Sequence, residues 1–305
     1  GDTMSGSLCI DGKWRVGCGE AFSSTNPADS SEIWTGTAAG ASDIDRAVAA
    51  ARQAFPSWSL LSVDARLAIM QSYRQHLTAA KPEMAALISR ETGKPVWEAL
   101  LEAGAMVGKL DVSLRAYRER CAEATTELAG CVSVRRFKAH GVVAVFGPFN
   151  LPGHLPNGHI IPALLAGNTV VFKPSEQTPA CGELMTRLWH QAGLPNGVLN
   201  LVQGGRETGV ALAGNDAING LFFTGSYAVG RLIHKAFGGH PEKILALEMG
   251  GNNPLIVSDV SDVDAAAYLT VQSAFITSGQ RCVCARRLIV PKGESGDRFV
   301  QRLRQ

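Results

Sequence analysis

The sequence predicts an α/β fold, a doubly wound parallel sheet followed by the first part of a second α/β domain. Three observations carry that prediction. From Gly141 onward, apolar runs at Val142–Phe146, Thr169–Phe172, Val198–Val202, Leu221–Phe223, Ile244–Leu247 and Leu255–Val257 recur at regular intervals. Helix-like segments separate them, at 160–166, 178–192, 207–213, 227–237 and 263–277. Continuously apolar strands alternating with helices belong to a parallel sheet covered on both faces. Lastly, the strands end in glycine-rich or polar stretches, where open α/β sheets bind their ligands.

The N-terminal part prepares for that sheet. Leu8–Ile10 and Trp14–Val16 flank an Asp11-Gly12 turn, which predicts a hairpin at the start of a small edge sheet. Ser42–Phe55 puts Ile44, Val48, Ala51 and Phe55 on one helical face, with Ser42-x-x-Asp45 as its capping signal. Further helices are expected over 64–80 and 82–92. Gly93-Lys94-Pro95 then stops one helix and opens another, running to about Arg120. Over Val132–Phe137 apolar and basic residues alternate, as in an exposed strand.

At 305 residues the chain holds about two domains of ordinary size. A composition of 46% hydrophobic and 18% charged residues argues for buried cores and against disorder. The formal net charge of +2 is interspersed, so neither nucleic acid nor an anionic membrane is expected as a partner. No apolar run reaches the ~20 residues that span a bilayer, and the start lacks the pattern of a secretory leader. Seven scattered cysteines form no disulfide framework, which points to a reducing, cytoplasmic setting. No metal site is expected, because Cys282-x-Cys284 is too tight for zinc.

The chemistry concentrates at strand ends. Cys282 closes the stretch Thr277-Ser278-Gly279-Gln280-Arg281-Cys282, and Glu248 stands between an apolar strand and Gly250-Gly251. Each ends an element that reads as buried, which suits a thiol nucleophile with a separate general base. A buried structural thiol is the other reading of Cys282. Asn150, in Gly147-Pro148-Phe149-Asn150-Leu151-Pro152-Gly153, either offers an amide to an oxyanion or satisfies its own loop. Lys173-Pro174-Ser175-Glu176 can bond a ribose, with Glu176 disfavouring a 2′-phosphate and so favouring NAD over NADP; a surface ion pair is the alternative. Thr224-Gly225-Ser226-Tyr227-Ala228-Val229-Gly230 opens a helix whose N–H groups can face a pyrophosphate. Gly225 and Gly230 have P-loop spacing, but Arg231-Leu232 replaces the Lys-Ser/Thr of phosphoryl-transfer enzymes.

Taken in order, these motifs resemble the aldehyde dehydrogenase superfamily, from about residue 8 to the end. Glu91-Thr92-Gly93-Lys94-Pro95 fits the same pattern. The resemblance implies a Rossmann-like NAD-binding domain from 1–121 and 141–248, bridging oligomerisation strands at 122–140, and a catalytic domain from 249 that continues past Gln305. It implies Cys282 as nucleophile, Glu248 as the base that activates water, and Asn150 as oxyanion donor. Lys173, Glu176 and Gly225 to Gly230 would hold NAD. A small aldehyde is the implied substrate and a homo-oligomer, dimer or tetramer, the implied assembly. The stretches 149–159, 203–209, 247–254 and 280–287 resemble a branch acting on a polycarboxylate semialdehyde, for which Arg281, His154 and His159 are candidate cations or donors, a surface arginine and loop-buttressing histidines being the alternatives. Cys284 is assigned to the core, on the expectation that an extended stretch turns it away from Cys282. A dinucleotide-binding piece without activity, and a relative that passes the acyl group to another acceptor, are the competing readings.

Overall fold

The computed structural model describes residues 7–305; the first six, part of the stretch read for a leader, lie outside the described residues. The chain folds as two compact units, one ending at Leu247 and the other spanning Glu248–Gln305.

In the first unit, β1 (Leu8–Ile10) and β2 (Lys13–Arg15) pair across Asp11 and Gly12, both at positive φ. That conformation is what a tight two-residue hairpin requires. The hairpin is not a separate edge sheet. Cys9 pairs antiparallel with Leu201, so the hairpin extends the main sheet. A second ribbon, β3 (Ala21–Thr25) with β4 (Glu32–Thr37), precedes four helices. These are α1 (Ala41–Leu60), α2 (Val63–Ala79), α3 (Lys81–Thr92) and α4 (Val96–Arg120). The cap of α1 differs from the predicted Ser42–Asp45 box. Gly40 is the N-cap, and the Asp43 carboxylate accepts the N–H of Gly40 and of Cys18. The helix also runs through Pro56, past the expected end at Phe55, because Trp58 is buried and donates to Leu164 O at 3.2 Å. Gly93 ends α3 at φ 74°, and a Cβ there would lie 2.8 Å from Pro27, so both backbone and space demand glycine.

After the exposed ribbon β5 (Ala124–Leu128) and β6 (Cys131–Arg135) comes the wound core. It comprises β7 (Val142–Phe146), α5 (His154–Leu165), β8 (Thr169–Lys173), α6 (Pro179–Gln191), β9 (Leu199–Leu201), α7 (Arg206–Ala213), β10 (Gly220–Gly225), α8 (Tyr227–Phe237) and β11 (Ile244–Met249). The sheet order is β11-β10-β7-β8-β9-β1-β2. Strands β10, β7, β8 and β9 are mutually parallel, as the apolar runs predict, while the N-terminal hairpin makes the whole sheet mixed. From β7 the chain winds through β8 to β9, then returns to lay β10 on β7's other side. That reversal opens a crevice at the carboxyl ends of β7 and β10. Helix α5 begins at His154 rather than Ile160, because Pro156 falls in the first turn, where its missing N–H costs nothing. Beneath the sheet, Tyr73 stacks on Trp189 at 3.8 Å within a core that includes Trp58, Phe172 and Met84.

The second unit holds β12 (Asn253–Ile256), α9 (Val263–Phe275), a tight turn (Ile276–Gly279), β13 (Ala285–Ile289) and α10 (Glu294–Arg304). Strands β12 and β13 are parallel, and Val257, Ala267 and Phe299 centre a small core. Among the described residues no helix is long and apolar enough to cross a membrane, and all seven cysteines are free thiols.

Candidate active site

Because β7, β8 and β10 are parallel, the loops after them leave from one end of the sheet, the carboxyl end. The structure therefore brings together the Asn150 loop, Lys173 to Glu176, and Gly225 to Gly230. A backbone bond ties the first two: Gly147 N–H donates to Lys173 O at 2.9 Å. A contact between His159 Nε2 and Thr224 Oγ1 at 3.3 Å joins α5 to the end of β10.

Asn150 is partly buried, and its Oδ1 accepts the N–H of Leu151 at 3.0 Å. The amide is thus oriented through its acceptor end, whereas an oxyanion calls on the donor end. In this bond Asn150 serves its own loop, which is the second of its two readings.

Lys173 is buried, and its Nζ donates to the carbonyls of Pro174 and Gly204, both at 2.8 Å. Burial lowers its pKa to about 8, opposed by the charge of Glu176, whose exposed carboxylate lies 3.9 Å away. The lysine is thereby a fixed donor beneath the loop, and Glu176 is the solvent-facing acceptor of the pair. At β10, a Cβ on Gly225 would come within 2.5 Å of the Phe223 ring, so this turn needs glycine. Ser226 caps α8, its Oγ accepting Val229 N–H at 3.3 Å. Tyr227, Ala228 and Val229 are exposed, while Gly230 is buried under the turn. First-turn N–H groups have no acceptor within the helix, so this end presents donors and partial positive charge to an anion. The donors and the Glu176 carboxylate match what a dinucleotide offers: diols that donate and a pyrophosphate that accepts.

In the second unit, Glu248 is exposed near the end of β11, and Cys282 is exposed in the turn before β13. Both were expected at the ends of buried elements. β11 is instead the edge strand of the sheet and only half-buried, and Cys282 follows a turn rather than a strand. Thr277, Ser278 and Gly279 occupy the left-handed region in succession, at φ 58°, 54° and 66°. The first two carry a steric cost of about 1 kcal/mol each or more, a kind of strain that clusters at functional sites. Helix α9 stops at Phe275, short of the expected Thr277, because Ile276 is already extended, at ψ 145°. Arg281 Nε donates to Thr277 Oγ1 at 2.7 Å and so buttresses the turn. Asn253 Nδ2 donates to Cys282 O at 2.7 Å and to Cys284 O at 3.2 Å, fixing the cysteine stretch to the start of β12. Cys284 is buried, as assigned, but for a different reason. Residues two apart on a strand share a face, and it is the turn closed by Cys284 N–H to Arg281 O that parts the two thiols.

Of the candidate cations, His159 is largely buried. Burial, with Lys109 adding its charge, lowers its pKa to about 4 and keeps it neutral near pH 7. Glu91 and Lys94 stood out only as parts of a turn motif and Glu102 not at all, yet all three are buried around the α3–α4 turn. One signal was available: Glu102 lies on the same face of α4 as Ala99, Ala103 and Met106, which are core residues.

A model described as the aldehyde dehydrogenase family matches residues 14–305. An N-succinylglutamate 5-semialdehyde dehydrogenase of Chromobacterium violaceum is 58% identical over 297 residues, covering 97% of this chain and 61% of the relative. The enzyme of the same name from Burkholderia thailandensis is 56% identical over 296 residues, with the same coverage of both chains. The chain thus spans about three-fifths of the length of these relatives. Among solved structures, an indole-3-acetaldehyde dehydrogenase complexed with NAD+ superposes with a TM-score of 0.92 at 30% identity, covering 99% of this chain and 62% of that one. An E. coli NADP-dependent enzyme gives 0.92 at 33%, covering 98% and 62%.

Proposed function

The chain belongs to the aldehyde dehydrogenase family, and from that footing we propose that the protein oxidises N-succinyl-L-glutamate 5-semialdehyde to N-succinyl-L-glutamate with NAD, a step of arginine breakdown. The observation that carries this reading is that the Asn150 loop, the Lys173–Glu176 loop and the α8 N-terminus all lie at the carboxyl end of the sheet. The substrate is taken from the curated relatives at 56–58% identity.

Lys173 and Glu176 would hold the adenosine ribose, and the first turn of α8, Gly225 to Gly230, the pyrophosphate. Glu176 supports NAD, because a second phosphate beside its carboxylate would be repelled. When bound, the nicotinamide supplies the hydride acceptor. The chain's own residues do the rest. The Cys282 thiolate adds to the aldehyde carbon and forms a hemithioacetal. Asn150 and the Cys282 backbone N–H are assigned to the oxyanion. Once the hydride has left, a thioester remains on Cys282, and Glu248 removes a proton from the water that hydrolyses it. The exposed β5–β6 ribbon, with Leu128, Val132 and Val134 facing solvent, supports assembly with a second copy.

The test is NADH formation from the succinylated semialdehyde and from simple aliphatic aldehydes, with NAD and with NADP, in the wild type and in Glu248→Gln. Preference for the succinylated substrate and NAD is expected. In the variant a thioester should accumulate on Cys282, seen by intact mass, with turnover down ~10²–10⁴-fold. Unchanged deacylation in Glu248→Gln would remove water activation by that residue.

A further inference from the structure

Lys94 and Glu102 form an ion pair, Nζ to Oε2 at 2.6 Å, with each side chain only 1% exposed. Burial of such a pair confers little stability over apolar residues of the same size, so its presence asks for another reason. The remaining bonds supply one. Lys94 Nζ also donates to Asn150 O at 2.7 Å. The second oxygen of Glu102 accepts the N–H of Gly153 at 3.0 Å and of His154 at 3.1 Å. One ion pair thus grips the loop at its carbonyl end and its amide end, with Asn150 at the first of these grips. The pair is itself fixed, since Ser89 Oγ donates to Lys94 O at 2.7 Å beside the left-handed Gly93.

We propose that Lys94 and Glu102 are positioning residues for the Asn150 amide, a buried clamp that sets the loop from which that side chain projects. The proposal rests on the reading of Asn150 as oxyanion donor given above. Asn150 Oδ1 bonds the next backbone N–H, so the loop backbone orients the side chain, and the ion pair orients the loop backbone. An oxyanion donor acts through being in place before charge develops, and displacement of about 1 Å is enough to forfeit much of its effect. The placement of the clamp also answers a charge requirement, because the Glu102 carboxylate sits against the first N–H groups of α5.

The experiment is a kinetic cycle in the full chain with Glu102→Gln, Asn150→Ala and their combination, read by NADH formation. Hydrogen exchange of residues 147–158 is followed in parallel. Since one unpaired buried charge can prevent folding, Lys94→Met with Glu102→Gln, which removes both charges together, is carried alongside. Glu102→Gln should lower kcat about tenfold with KM within about twofold, and should cost nothing further once Asn150 is alanine. Exchange at Gly153 and His154 should quicken while that of β8 and β9 stays unchanged. Losses that multiply in the combined variant would overturn the proposal, as would unaltered exchange at 153–154. If Asn150→Ala alone leaves kcat untouched, the oxyanion reading falls, and the exchange data still decide whether the clamp holds the loop.

Discussion

Glu91→Ala isolates the other acidic anchor of the α3–α4 turn. The Glu91 carboxylate accepts Ala180 N–H and Cys181 N–H, both at 2.9 Å, and Ser24 Oγ–H at 2.8 Å. It therefore caps α6 from a different part of the chain. Alanine would strand three buried donors, each worth ~1–3 kcal/mol when left unsatisfied. Against that stands the cost of holding a charge there. Burial pushes the Glu91 carboxyl up, although bonds from Cys181, Ala180 and Ser24 pull the other way. The low end for three donors sums to a loss of ~3 kcal/mol, from which the relieved charge burial subtracts. Urea unfolding followed by tryptophan fluorescence measures it, since Trp58 and Trp189 are both in the core of this unit. Glu91→Gln keeps the shape but turns an NH₂ toward one of the N–H groups, so ~2 kcal/mol should still be lost. A loss below about 1 kcal/mol in the alanine variant, at unchanged m, would refute the capping argument.

Two further outcomes follow from burial. His159 has a folded pKa of about 4 against an ordinary 6.5, lowered by burial and then by Lys109. Between those values the unfolded chain binds the extra proton, so stability should fall as pH drops from 6.5 to about 4. His159→Gln should flatten that slope in pH-dependent urea melts, and an unchanged slope would refute the assignment. Under native conditions iodoacetamide should label Cys18, Cys131 and Cys282 and spare Cys9, Cys181 and Cys284. Burial raises the Cys9 pKa to about 12 and that of Cys181 well above its usual value. Alkylation of Cys284 at the rate of Cys282 would contradict the turn that separates them.

What the sequence disclosed was local. Strands β7, β8 and β10 announce themselves as apolar runs, and the stretches after them carry residues whose chemistry is readable one at a time. Helix ends were harder, because tertiary contacts set them. Trp58 carries α1 through a proline, and Asp43 replaces the Ser42–Asp45 cap because it also accepts the Cys18 N–H. The N-terminal hairpin gave its turn away through Asp11-Gly12, but not its seat beside β9, which depends on pairing Cys9 with Leu201. Least legible were Glu91, Lys94 and Glu102. Their partners lie from 51 to 90 residues away or across a turn, and no spacing rule connects an acid on one helix to the first N–H groups of another.

Those separations bear on how the chain assembles. Glu102 precedes the amides it accepts by 51 and 52 residues, and Glu91 precedes its own by 89 and 90. During synthesis the acceptors leave the ribosome first, so α3 and α4 can be formed and waiting when the starts of α5 and α6 emerge. Each cap then closes a loop whose entropy must be spent before the helix behind it is secured. Substitutions at Glu91 or Glu102 should accordingly slow refolding in stopped-flow kinetics, and an unchanged folding rate would show that these caps form only after the barrier.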